Sequence, residues 1–152
     1  MRILARLLTA TLLVGFMSHE TTMASAEKNM TVFKTPWCGC CKSWTEAIKK
    51  AGYTVEVLDV QDLSLVKKQA SVPDALVGCH TAVLGKYVFE GHVPLQAIDK
   101  LLKTQPAVRG IAVPGMPSGS LGMGNDPDAR YDVMAFTYTK TDKPTVFYQV
   151  GQ

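Results

Sequence analysis

Three of the chain's four cysteines fall within four residues, in Trp37-Cys38-Gly39-Cys40-Cys41. The cluster follows a short apolar run and leads into a segment of helical periodicity, so the fold must place three thiols at a strand-to-helix junction. Cys38 and Cys41 have the C-x-x-C spacing of thiol-redox motifs, but the position between them that often holds a rigid proline holds a third sulfur, Cys40. Disulfide exchange needs two thiols, and the third asks for another chemistry. Soft Cu(I), and less specifically Zn(II), prefers thiolate ligands.

The compartment matters to cysteines this close. Arg2 and Arg6 form a basic start, Leu7 to Met17 an apolar stretch, and Ala24-Ser25-Ala26 a small-residue cleavage site, the pattern of a secretory signal over residues 1–26. The apolar stretch is shorter than the roughly 20 residues that span a bilayer. No cysteine stands at the cleavage region to carry a lipid, so a periplasmic domain over residues 27–152 is expected, without stable membrane insertion. These 126 residues suit one domain with a real core. Without Arg2, Arg6 and Glu20 the net charge is near +2 with no basic run suited to phosphates, so nucleic acid is not an implied partner. An oxidising space drives thiols into disulfides unless something protects them.

Met30 to Lys34 predicts a first strand, ended by Thr35-Pro36 because proline cannot donate to a sheet ladder. Trp44, Ala47, Ile48 and Ala51 recur at helical spacing from Cys41 to Ala51, with Gly52 as the stop. From Tyr53 to Val60, Tyr and Val residues including Val55 and Val57 alternate onto a face expected to be buried, giving a second strand, and Asp62 to Ala70 can form a short helix capped by Asp62. Thr81 to Leu84 and Tyr87 to Glu90 flank a Gly85-Lys86 turn as a hairpin, and a helix follows from Pro94 to Lys103. This βαβ unit, hairpin and helix is the order of the thioredoxin core, an α/β fold with helices covering a mixed sheet. From Pro106 the Pro, Gly and Met content predicts a long irregular loop, and two terminal strands follow at Val133 to Thr139 and Thr145 to Val150.

At a helix start, free amides and the helix dipole favour thiolate over thiol. Cys38 and Cys41, three apart, share a face, whereas Cys40 and Cys41 diverge by about 100° around the axis, so a bond between those two would be strained. Sulfurs on so tight an arc bridge several Cu(I) ions, each needing two or three soft ligands, more readily than they enclose one tetrahedral ion. Cys79, in Gly78-Cys79-His80-Thr81 just before the third strand, is expected beside the C-x-x-C end of the helix. A Cys38–Cys41 disulfide with Cys79 buried or bonded to Cys40 is the alternative state of the same residues.

Four motifs stand together here: Trp37 to Cys41, Gly78 to Thr81, Glu90-Gly91-His92-Val93-Pro94, and Gly115 to Met123 with its Gly-Met-Pro-x-Gly-Ser-x-Gly-Met pattern. With these motifs the chain resembles the CopG-like bacterial periplasmic copper-resistance proteins, over essentially all of residues 27–152. The resemblance implies copper held by Cys38, Cys40, Cys41 and Cys79, in a role linked to copper tolerance, with copper ions and other periplasmic copper-handling proteins as partners. The missing proline between the cysteines, and the lack of a proline after Cys79, set the chain apart from ordinary thioredoxins.

Secondary candidates surround these four. His80 has three open roles, as ligand, proton acceptor for a thiol, or loop residue bonded to backbone. His92, at the helix start, is expected to be structural, with a ring that could reach the site. Met116 and Met123 carry thioethers suited to Cu(I), or serve as lid or core filling. Met134 is expected in the core, and Trp37 either as a shield for the sulfurs or as ordinary packing before the helix. The leading reading is a protein that holds Cu(I) for sequestration, transfer or Cu(I)/Cu(II) cycling. A thioredoxin-like oxidoreductase working through Cys38 and Cys41 competes with it, and a disulfide-stapled secreted domain is disfavoured in a chain with a core this large.

Overall fold

Asn29–Lys34 forms the first strand, β1, because Met30 and Val32 alternate onto one buried face. The computed structural model describes residues 28–139 and 141–152; the signal sequence read over residues 1–26 lies outside the described residues. Helix α1 (Gly39–Lys50) leads to β2 (Thr54–Asp59), then α2 (Ser64–Gln69) and a 3-10 turn at Asp74–Leu76. The hairpin β3 (Thr81–Leu84) and β4 (Tyr87–Gly91) precedes α3 (Leu95–Thr104), β5 (Gly110–Val113), β6 (Tyr131–Phe136) and β7 (Thr145–Val150). Among the described residues no helix is long and apolar enough to cross a membrane.

The seven strands make one mixed sheet in the order β2-β1-β3-β4-β5-β6-β7. The β1–β2 and β4–β5 pairs are parallel and the others antiparallel. The expected βαβ unit, hairpin and helix are all present, and the two C-terminal strands extend the sheet past β5. One layer packs Trp44 and Ile48 of α1 and Ile98 and Leu101 of α3 against Met30, Val32, Leu84, Phe89, Ile111 and Val113. Each such fully buried side chain contributes about 1.5–3 kcal/mol. The opposite face of the sheet meets Ala70, Val72 and Leu76 with Val88, Ala112 and Phe136.

Three expectations need correction. The stretch after Pro106 is not wholly irregular, since Gly110–Val113 is β5, a strand buried on both faces. Four residues without apolar–polar alternation carry no period-2 signal, and only the partners β4 and β6 define it. Asp62 is not the cap of α2: Leu63 holds that position without a side-chain bond, and Asp62 instead accepts from the amide and hydroxyl of Ser64. Val55 and Val57 are only half-buried, because β2 is the edge of the sheet.

Candidate metal centre

Cys38 is the N-cap of α1, its sulfur accepting from the Cys41 amide at 3.3 Å. This stacks Cys41 one turn above Cys38 on the same side, and the two are joined in a disulfide. Cys41 is fully buried, and its sulfur lies 3.6 Å from the carbonyl oxygen of Cys79. Cys40 and Cys79 are free thiols. Cys40 Sγ stands 3.6 Å from Cys38 Sγ and 4.0 Å from Cys79 Sγ. All four sulfurs lie within 4.8 Å of one another, so the fold does bring Cys79 to the helix end as expected.

Close backbone contact makes this convergence possible. A Cβ on Gly78 would meet Gly91 Cα at 2.7 Å, so the loop carrying Cys79 rests directly on the end of β4. Gly122, at φ +86°, presses the Gly/Pro/Met loop onto α1, where a Cβ would lie 2.6 Å from Trp44 N and 3.1 Å from Cys40 O. Trp44 Nε1 donates to Val93 O at 2.9 Å and ties α1 to the β4–α3 connection.

Two histidines form the inner wall. His92 is buried, its Nε2 3.0 Å from Cys79 Sγ and its Nδ1 2.7 Å from Leu121 O. A carbonyl only accepts, so Nδ1 carries the proton and the Nε2 lone pair of the neutral ring faces the sulfur. Of the two readings the sequence leaves for His92, a structural role at the helix start and a ring that reaches the site, the second matches its position, which is set by the loop that supplies Leu121. His80 Nδ1 lies 3.4 Å from Cys79 Sγ, its ring packs 4.5 Å from that of Trp44, and its buried Nε2 has no hydrogen-bond partner. Burial holds His80 neutral, pushing it down to about 3 with help from His92 and Lys67, and burial lowers His92 as well. The Cys79 thiol is pushed up to about 12, first by burial and then by Cys40. Without metal, the Cys79 S–H therefore donates to His92, neutral to neutral.

Behind Cys79 lies a buried ion pair that sequence reading did not single out. Glu90 accepts from Lys67 Nζ at 2.5 Å, the Gly78 amide at 2.7 Å and Thr81 Oγ1 at 2.7 Å. A fully buried carboxylate is tolerated because each oxygen is occupied. Sequence marks Glu90 as the head of the Glu90-Gly91-His92-Val93-Pro94 motif and as an acidic residue ending an otherwise apolar strand, Tyr87-Val88-Phe89-Glu90, but gives no sign of its partner Lys67.

Toward solvent, a shallow groove of about 220 Å³ lined by Val77, Gly78, Cys79, Gly115 and Met116 opens onto Cys79. Met116 is exposed on its rim. Met123 is half-buried next to Gly122, and Trp37 is 69% exposed. Met134 is half-buried against the second core layer.

Comparison with known proteins agrees with this architecture. Residues 76–123 match the family described as protein of unknown function DUF411. Two solved structures, copper resistance protein CopG in form 1 and form 2, are each 34% identical to the chain with a TM-score of 0.73. The alignment covers 82% of this chain and 98% of form 1, and 80% and 97% for form 2. The chain belongs to the CopG family. No curated protein matches it. The matched segment 76–123 contains Cys79, His80, His92, Met116 and Met123.

Proposed function

We propose that this chain binds copper as Cu(I) through Cys38, Cys40, Cys41 and Cys79 and serves copper resistance in the periplasm by holding or passing on the metal. The observation that carries the reading is the convergence of four sulfurs within 4.8 Å, three from one helix end and one from a loop 38 positions away. Membership of the CopG family supports copper as the metal, and the basic, apolar and small-residue pattern of residues 1–26 supports export. A dithiol reductant, itself oxidised to a disulfide, would supply the two electrons and two protons that convert the Cys38–Cys41 bond to two thiols and complete the set. Thiolates then bridge ions that each need two or three soft ligands, which favours more than one Cu(I) per chain. Met116 stands where an arriving ion would meet a thioether first, with Met123 in the same loop.

A second reading, thiol–disulfide exchange with partner proteins, is favoured by the Cys38–Cys41 disulfide itself. Cys40 separates the two. Anaerobic titration of the reduced chain 27–152 with Cu(I), followed by metal analysis, should saturate above one copper per chain, and Cys40→Ser should lower that number while leaving the Cys38–Cys41 disulfide able to form. Saturation at one copper would remove the polynuclear site. Unchanged stoichiometry and copper tolerance in Cys40→Ser would promote the thiol enzyme.

A further inference from the structure

Closing the Cys38–Cys41 disulfide withdraws two of the four sulfurs from metal chemistry and leaves Cys79 between two kinds of donor. On one side is Cys40, 4.0 Å away. On the other are His92 Nε2 at 3.0 Å and His80 Nδ1 at 3.4 Å. Cys79, His80 and His92 each offer a donor atom within 4.8 Å of the other two, in a group that does not include Cys40. We propose that these three residues form a second, mixed thiolate–imidazole site for a single Zn(II)-like divalent cation, available while the disulfide is closed.

Four observations carry this. Zn–S and Zn–N bonds of about 2.3 and 2.0–2.1 Å at a tetrahedral angle separate sulfur and nitrogen by about 3.6 Å, so the His80 distance needs to open by about 0.2 Å and the His92 distance by about 0.6 Å. His92 already has the arrangement of a metal-bound imidazole, one nitrogen donating to a backbone carbonyl and the other presenting its lone pair. His80 is fully buried and turns Nδ1, the ring nitrogen opposite its unpartnered Nε2, toward the same sulfur. The groove bounded by Met116 leaves Cys79 reachable from solvent, which provides an approach and room for water as a fourth ligand. The set differs in kind from the four-sulfur group: two imidazoles and one thiolate suit a borderline divalent ion, whereas an all-thiolate arc suits Cu(I). Binding exchanges the Cys79 thiol proton for the metal, M²⁺ + RSH giving RS–M⁺ + H⁺, with no change in oxidation state. Cys79 belongs to both groups, so the two sites compete for its thiolate, and reduction of the disulfide, by supplying two further soft sulfurs, would shift the balance from a divalent ion toward Cu(I).

The test uses the chain 27–152 with Cys38–Cys41 oxidised and Cys40→Ser, so that Cys79 is its only thiol. Titration with Co(II) should give one ion per chain, a thiolate-to-cobalt charge-transfer band and tetrahedral d–d bands, all displaced by Zn(II). Adding His92→Ala should weaken Co(II) more than tenfold, and adding Cys79→Ser should abolish the charge-transfer band. Should His92→Ala unfold the chain, ring-nitrogen NMR of the intact histidines decides: Zn(II) should move His92 Nε2 and leave its protonated Nδ1 in place. Absence of a charge-transfer band, or an unmoved His92 Nε2, would overturn the site. Polynuclear Cu(I) binding by the reduced wild type would stand regardless, so the two assignments fail separately.

Discussion

Replacing Glu90 by Ala should cost the metal-free protein about 3–4 kcal/mol. The carboxylate is fully buried and accepts from Lys67 Nζ, the Gly78 amide and Thr81 Oγ1. Truncation leaves an ammonium, an amide and a hydroxyl without their acceptor. Breaking one partner out of a buried ion pair costs about 3–5 kcal/mol. The Lys67 side chain is 12% exposed and can turn its ammonium toward water, which places the ion-pair loss near the low end, and the orphaned Gly78 N–H adds about 1 kcal/mol. Against a typical total of about 5–15 kcal/mol this is a large fraction. With a urea slope of about 2 kcal/mol/M the midpoint should fall by about 1.5–2 M, followed by fluorescence of the buried Trp44. Glu90→Gln keeps an acceptor for the Gly78 amide and should lose about half as much. Since Gly78 adjoins Cys79, Glu90→Ala should also release the loop that brings the fourth sulfur to the helix, and the Cys79 amide should exchange with solvent faster. A midpoint shift under about 0.3 M would refute the view that this pair ties α2 and the cysteine loop to β4.

Two further outcomes follow from the same geometry. His80 is held down to about 3 from 6.5, so the unfolded chain takes up a proton that the folded one refuses: its contribution to stability is complete above pH 6.5 and drains away as pH falls toward about 3, at about 1.4 kcal/mol per unit. Urea unfolding of His80→Phe should lack that portion of the acid slope, and an unchanged slope would show that the ring does not stay neutral. Gly122→Ala should cost about 2 kcal/mol through the left-handed backbone and the Cβ overlap with α1, lowering the melting temperature and opening the loop around residues 114–124 to protease; wild-type behaviour in both would mean that the loop does not rest on α1.

Much of this protein is determined by chain neighbours. Helical spacing of Trp44 and Ile48, the proline after β1 and the Gly85-Lys86 turn mark α1, β1 and the β3–β4 hairpin, because each signal lies within the element it defines. The crowding of Cys38, Cys40 and Cys41, and the cap position of Cys38, are likewise local. β5 escaped because its burial on both faces is imposed by distant layers, Ile111 and Val113 meeting the core under α1 and α3 and Ala112 the one with Ala70, Val72 and Leu76. The inner wall of the site depends wholly on tertiary structure. Cys79 meets His92 across 13 residues, Lys67 meets Glu90 across 23, and Leu121 sets the His92 tautomer from 29 away. None of these pairs has a periodicity to announce it. They exist because strand pairing puts Thr81 opposite Glu90, and because glycines at 78, 91 and 122 let loop, strand and helix backbones approach closely enough for one sulfur to touch both a thiol and two imidazoles.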